Sequence, residues 1–214
     1  MPGPTLLHRL LALLTPAIVV LAATAPVDSD AQHAAAAAPP DPEAQRVAPY
    51  AATPEHVVTE MLKLARVGPA DFVVDLGSGD GRLVIAAVKE FGARGGFGVD
   101  IDPKLVAFAN AKAAEDRVAD RVQFFARDLF ATDVSAATVV TVYLFPGAMA
   151  RLRDKLRAEL APGSRVVSHD FAFPDWSPER ITIIPAPEKR DAVGRSEAVL
   201  FLYTVPERRE RAPR

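Results

Sequence analysis

Acidic residues at the ends of successive apolar runs carry the strongest chemical signal in this chain. The first lies in Asp75-Leu76-Gly77-Ser78-Gly79-Asp80-Gly81-Arg82, which follows the apolar run from Phe72 and precedes a helical pattern. Glycines at such a strand-to-helix turn let the backbone bend tightly and approach a ligand with no Cβ in the way. A dinucleotide fingerprint would be G-x-G-x-x-G, which puts its third glycine at Arg82; here the spacing is G-x-G-x-G. Charge separates the possibilities further. A pyrophosphate needs donors and a positive helix terminus, and Asp75 with Asp80 would repel it. A ligand that carries an ammonium and a sulfonium but no phosphate suits an acidic rim, and S-adenosylmethionine (AdoMet) is such a ligand. A plain tight turn is the alternative reading of the loop.

Two further carboxylates extend the pattern. Asp100 ends the second apolar run, Gly96–Asp100, about 20–25 residues past the glycine loop, where a carboxylate can accept both ribose hydroxyls. Asp128 follows the third run, where it could accept from an adenine amino group, with Ile101 and Leu129 as apolar faces for the ring. Asp128 is equally readable as a solvated turn residue, and Asp102 is better explained as the N-cap before Pro103. Tyr143, His169 and Asp170 follow the fourth and fifth runs, where an acceptor would meet the cofactor. Each has a structural alternative: a packed aromatic, a satisfied core histidine, and a cap on the next turn.

Composition narrows the chemistry. The 214 residues hold 25 Lys and Arg against 27 Asp and Glu, a net charge of −2, which argues against an electrostatically driven nucleic-acid binder. Cysteine is absent, so disulfides, thiolate metal sites and cysteine nucleophiles are excluded. The four histidines (His8, His33, His56, His169) show no metal-ligand spacing, and no metal is expected.

These residues need a scaffold, and the apolar pattern supplies one. Buried strands are predicted at Phe72–Leu76, Gly96–Asp100, Val122–Phe125, Thr138–Leu144, Ser164–Ser168, Ile181–Ile184 and Ala198–Tyr203. Helices lie between the early ones. Thr53 can cap one with Pro54 at its first position, Asp102-Pro103 repeats that signal, and Gly147–Leu160 carries Met149, Leu152, Leu156 and Leu160 on one stripe. The alternation implies a mostly parallel sheet with helices on both faces. The last two strands lack a clear intervening helix, so a terminal hairpin with an antiparallel last strand is expected.

Val47 to Val205 resembles the class I, seven-stranded AdoMet-dependent methyltransferases, with Val73–Arg82 and Gly98-Val99-Asp100-Ile101-Asp102-Pro103 close to that family's first two motifs. The resemblance implies a Rossmann-like α/β fold with strand order 3-2-1-4-5-7-6, AdoMet as cofactor, and cofactor contacts from Asp75, Gly77, Ser78, Gly79, Asp100, Ile101, Asp128 and Leu129. More narrowly, Pro49-Tyr50-Ala51-Ala52-Thr53-Pro54, Tyr143-Leu144-Phe145-Pro146 and Ser168-His169-Asp170-Phe171 resemble the small lysine methyltransferases of the mitochondrial carrier and ATP-synthase c-subunit type, although Ala51-Ala52 stands where that group more often has Val-Pro. That likeness implies that Tyr50 and Thr53 join the cofactor set and that the acceptor is a lysine of a protein, with a membrane-associated protein as one candidate. It also assigns catalysis to Tyr143, His169 and Asp170. The Asn-Pro-Pro-aromatic motif used on amide and base nitrogens is absent after the fourth strand, so no nucleic-acid partner is expected. A small-molecule O- or N-methyltransferase, or a non-catalytic AdoMet-binding module, would share the cofactor half.

Residues 1–31 read as a signal peptide or N-terminal anchor, with Arg9 before an uncharged run and Ser29-Asp30-Ala31 as the better cleavage candidate. They imply export or membrane association, in tension with cytoplasmic supply of AdoMet. An Ala- and Pro-rich linker (32–46) precedes the domain (47–205), and residues 206–214 form a charged tail.

Overall fold

The computed structural model describes residues 52–190 and 194–207. The expected signal segment, the linker, the domain start at Val47, Tyr50 and most of the tail lie outside the described residues. Seven strands form one sheet: β1 (Phe72–Leu76), β2 (Gly95–Asp100), β3 (Val122–Ala126), β4 (Val139–Val142), β5 (Arg165–His169), β6 (Arg180–Pro185) and β7 (Glu197–Thr204). Their spatial order is β3-β2-β1-β4-β5-β7-β6, as the family resemblance implies. The first five pair in parallel, and β7 runs antiparallel to both β5 and β6.

Among the described residues, four α-helices accompany the sheet: α1 (Glu55–Leu64), α2 (Arg82–Lys89), α3 (Pro103–Glu115) and α4 (Pro146–Glu159). Side chains alternate across each strand, so the sheet serves two cores. Val73 packs with Val58, Met61, Leu62, Val84 and Ala109 of α1, α2 and α3. Val74, Leu76, Val140 and Val142 pack on the other face with Met149, Leu152 and Leu156 of α4, and Leu160 completes the predicted stripe. Each such buried aliphatic contributes about 1.5–3 kcal/mol relative to exposure. Away from the glycine loop, Asp71 accepts from Thr138 Oγ1 (2.8 Å) and Gly68 N (2.9 Å) and is paired with Arg165, which ties together the starts of β1, β4 and β5.

Several boundaries differ from those predicted, for identifiable reasons. Thr53 does not cap α1; Pro54 holds the N-cap position without a side-chain bond, because the Thr53 hydroxyl is drawn to His169 instead. The fourth strand stops at Val142 rather than Leu144, and α4 starts one residue early at Pro146, whose fixed φ suits a first helical position. Ile181–Ile184 is not a fully buried strand. β6 is an edge strand, and alternation leaves Ile181 and Ile183 56% and 62% exposed. Asp102 caps α3 as expected, accepting from Lys104 N. Among the described residues, no helix is long and apolar enough to cross a membrane.

Candidate active site

The glycine loop leaves β1 and enters α2 through three left-handed glycines, Gly77 (φ 90°), Gly79 (φ 51°) and Gly81 (φ 81°). Gly77 N and Ser78 N both donate to Val99 O at 2.9 Å, which holds the loop over the end of β2. At Gly81 a Cβ would lie 2.5 Å from the Phe124 ring, so close packing as well as φ demands glycine there. Arg82 spans the loop and α1: its guanidinium is bidentate to Asp80 and donates to Thr53 O at 2.8 Å. Burial opposes the charge on Asp80, but the Arg82 hydrogen bonds and charge outweigh it and hold that carboxyl below its ordinary range.

Asp75 and Asp100 flank this loop in different environments. Asp75 is buried and accepts from Thr141 Oγ1 at 2.7 Å, its register partner on β4. Desolvation pushes its carboxyl up to about 7; the Thr141 bond works against this, and the charges of Asp100 and Asp80 add to it. Asp100 is half-buried, and backbone groups fix both its oxygens: Oδ2 accepts from Gly79 N and Oδ1 from Asp102 N, each at 2.9 Å. Ile101 is half-buried beside it, and Leu129 is buried. Asp128 is exposed and caps the short 3₁₀ turn Leu129–Ala131 through Phe130 N, which is the turn role left open by the sequence.

The residues present fit AdoMet. Among the described residues, the one buried side-chain polar atom without a hydrogen-bond partner is Ser78 Oγ, in the middle of the glycine loop. An orphaned hydroxyl three residues along the chain from a carboxyl that burial raises to about 7 suits a ligand that brings both an acceptor and a cation, as an amino-acid moiety does. Asp100 keeps unused lone pairs for hydroxyl donors, since each oxygen accepts one backbone bond.

The buried Asp75 carboxylate makes a prediction about pH. Between about pH 4 and pH 7 the folded protein keeps a proton on Asp75 that the unfolded chain has released. The folded state therefore binds more protons in that window, and this group's contribution to stability falls as pH rises through it. Asp75→Asn keeps an acceptor for Thr141 without the charge. At pH 8 it is expected to unfold later than wild type by about 2–4 kcal/mol while binding AdoMet at least about tenfold more weakly. Thermal melts and calorimetry at pH 5 and pH 8 check this; a variant less stable than wild type at pH 8 would contradict the assigned environment.

A second cluster sits at the ends of β4 and β5. The rings of Tyr143 and His169 stack with centroids 3.9 Å apart, and Tyr143 donates its hydroxyl proton to Asp170 Oδ2 at 3.1 Å. Asp170 adopts φ 65°, a left-handed conformation rare outside glycine but tolerated by aspartate, and its Oδ1 accepts from Val199 N of β7. It is therefore no cap on the next turn. The sequence reading missed the fourth member, Lys189, from the loop between β6 and β7. Lys189 is 4% exposed, and Nζ donates to Asp170 Oδ2 (2.5 Å), His169 Nε2 (3.0 Å) and Glu197 O (3.1 Å).

These contacts fix protonation. An ammonium has no lone pair, so His169 Nε2 must accept from Lys189, and Nδ1–H then donates to Thr53 Oγ1 at 3.2 Å. Burial lowers the His169 pKa to about 4 against the opposing pull of Asp170, so the ring is neutral near pH 7. For Asp170, burial works against the charge, but the Lys189 hydrogen bond and charge and the Val199 N–H together hold the carboxyl below its usual range. Burial and then the Asp170 charge push the Tyr143 phenol well above its ordinary value, so it stays protonated. Thr53 joins the two clusters: its hydroxyl meets His169, and its carbonyl meets Arg82 at the start of α2.

Comparison with known proteins yields a consistent set. The ANTKMT methyltransferase domain signature matches residues 75–180. A protein-lysine N-methyltransferase of Saccharolobus islandicus is 37% identical over 159 residues, covering 74% of this chain and 94% of its own length. The adenine nucleotide translocase lysine N-methyltransferase of Mus musculus is 38% identical over 130 residues, 61% of this chain and 56% of that one. The chain thus spans about half the length of this animal relative. An RNA methyltransferase of Salinibacter ruber, solved in complex with S-adenosyl-L-homocysteine, is 43% identical with a TM-score of 0.67, covering 76% of this chain and 98% of that one.

Proposed function

Because the chain belongs to the AdoMet-dependent methyltransferase family that carries the ANTKMT domain, we propose that it methylates the ε-amino group of a protein lysine. The observation that carries this reading is the Tyr143–His169–Asp170 cluster in a chain similar over 94% of the length of a protein-lysine N-methyltransferase. AdoMet supplies a methyl carbon already activated by its sulfonium. Asp75 and Ser78 would hold its amino-acid end and Asp100 its ribose, with Ile101 and Leu129 against the adenine ring; Tyr50 and Thr53 belong to the same proposed set.

A lysine acceptor has a reference pKa near 10.4, so its ammonium must lose a proton before the amine can attack. Tyr143 keeps its proton and donates it in a hydrogen bond to Asp170, which leaves the phenol oxygen's lone pairs free to orient an incoming N–H. His169 uses both ring nitrogens internally, so its part is to stack under Tyr143 and hold it, not to serve as a base. Asp170, ionised and paired, retains no proton; it fixes the direction of the Tyr143 hydroxyl. Proton release then goes to solvent, and the rate should rise with pH until the bound amine is largely neutral.

The similarity to an RNA methyltransferase of Salinibacter ruber favours a second reading, transfer to RNA. The net charge of −2 weighs against it, since phosphate contacts normally call for a basic excess. Incubating the enzyme with labelled AdoMet and a cell extract, then digesting with protease or ribonuclease, separates the two. Label released by protease alone supports the lysine reading; label released by ribonuclease, or found only on small compounds, overturns it.

The proposal extends to location. The uncharged N-terminal run would bring the enzyme to a membrane, which suits a membrane-associated acceptor. Fractionation with mass spectrometry of the mature N-terminus is expected to find the protein with membranes or beginning after Ala31. A soluble protein that starts at Met1 would refute it.

A further inference from the structure

Lys189 is the most buried cation of the second cluster, and nothing in the family likeness assigns it a task. Its ammonium has three protons and meets three acceptors: Asp170 Oδ2, His169 Nε2 and Glu197 O. It also lies 5.7 Å from the centroid of the Tyr143 ring. The loop that carries it is anchored just before Lys189. His56 of α1 reaches Pro185 O (3.0 Å) and the Glu188 carboxylate (3.2 Å), and Ala186 is buried.

We propose that Lys189 is a positioning residue for methyl transfer, whose ammonium directs the Tyr143 hydroxyl toward Asp170 and sets the tautomer of His169. The inference rests on the acceptor chemistry given above. Without the ammonium, the groups facing Asp170 are the Tyr143 hydroxyl from the end of β4, neutral His169 on its own strand and the Val199 N–H of β7. Arg195, on the same loop as Lys189, acts on Tyr143. A buried carboxylate so placed takes up a proton more easily, and a protonated Asp170 no longer commands the Tyr143 proton. The phenol oxygen then loses its fixed orientation toward the acceptor amine.

Lys189→Met keeps the stem and removes the charge. Turnover is expected to fall at least about tenfold with AdoMet affinity little changed, and the part of the acidic limb where Asp170 takes up its proton, below the rise set by the acceptor amine, should move up by about one pH unit or more, since loss of a close opposite charge is worth about 1–3 units. Nitrogen NMR of His169 in the protein without cofactor should show loss of the single Nδ1–H form. Lys189→Arg keeps a cationic donor and should hold both the acidic limb and the single Nδ1–H form of His169 near wild type. Should the Met variant not fold, the Arg variant decides alone: a displaced acidic limb or loss of the single Nδ1–H form there, with the cationic donor retained, would overturn the proposal. An unchanged acidic limb and His169 spectrum in Lys189→Met would also overturn it. So would faster turnover, which would mean that Lys189 blocks the acceptor's place. The imidazole signals do not depend on the acceptor. If the label proves not to be on lysine, the functional reading fails while the Lys189 contact is still tested, with the rate profile read on whichever acceptor carries label.

Discussion

Tyr143→Phe is expected to lower turnover by about 10²-fold while AdoMet affinity stays within about twofold, the pattern of a group that acts in the transition state rather than in cofactor binding. The substitution is structurally mild. Phenylalanine keeps the ring stack on His169, and Asp170 keeps Lys189 and Val199 N–H as partners, so no buried charge is stranded. What disappears is the phenol oxygen that the proposal assigns to orienting the acceptor. Asp170→Asn should reduce turnover to a similar extent, and asparagine tolerates φ 65°. That variant leaves the Lys189 ammonium without its carboxylate, so it should also melt earlier, by about 3–5 kcal/mol as for other broken buried pairs. Steady-state rates, calorimetric AdoMet titrations and melts on both variants separate the two costs. Equal losses in rate and AdoMet affinity would place Tyr143 in the cofactor site instead.

The second large effect is expected at Gly79. Its φ of 51° lies in the left-handed region, which a β-branched side chain strongly disfavours. Its N–H also donates to Asp100 Oδ2, so a shift of the loop moves the carboxylate meant for the ribose. Gly79→Val should therefore weaken AdoMet binding by at least about a hundredfold, or roughly 2.7 kcal/mol, while far-UV circular dichroism keeps most of its helix signal. Wild-type affinity in that variant would reduce the glycine loop to a turn without a ligand.

Much of this arrangement is legible in the chain. The strand ends at Leu76 and Asp100, the glycine spacing and the Asp102 cap are local patterns, and local physics sets them. The order of the seven strands is not local; it follows from the family resemblance. The misread positions share one cause. Thr53-Pro54 has the form of a capped helix start, but His169, 116 residues away, captures the threonine hydroxyl. Lys189 sits in a loop rich in Pro, Lys and Arg that looks solvated, and only the return of β7 beside β5 folds it against Asp170. Ile181 and Ile183 read as core because hydrophobicity alone does not distinguish an edge strand from a central one. Where a side chain's partner lies far along the chain, pattern names the residue type but not its role.

The most direct test of the account is chemical identification of the methylated residue. Wild type and Asp170→Asn, each saturated with labelled AdoMet, are incubated with the same acceptor protein, which is then hydrolysed completely to amino acids. The account predicts that wild-type label co-migrates with methylated lysine and that Asp170→Asn yields about a hundredth as much at equal time. Label on any other residue, or equal labelling by the two proteins, would contradict it.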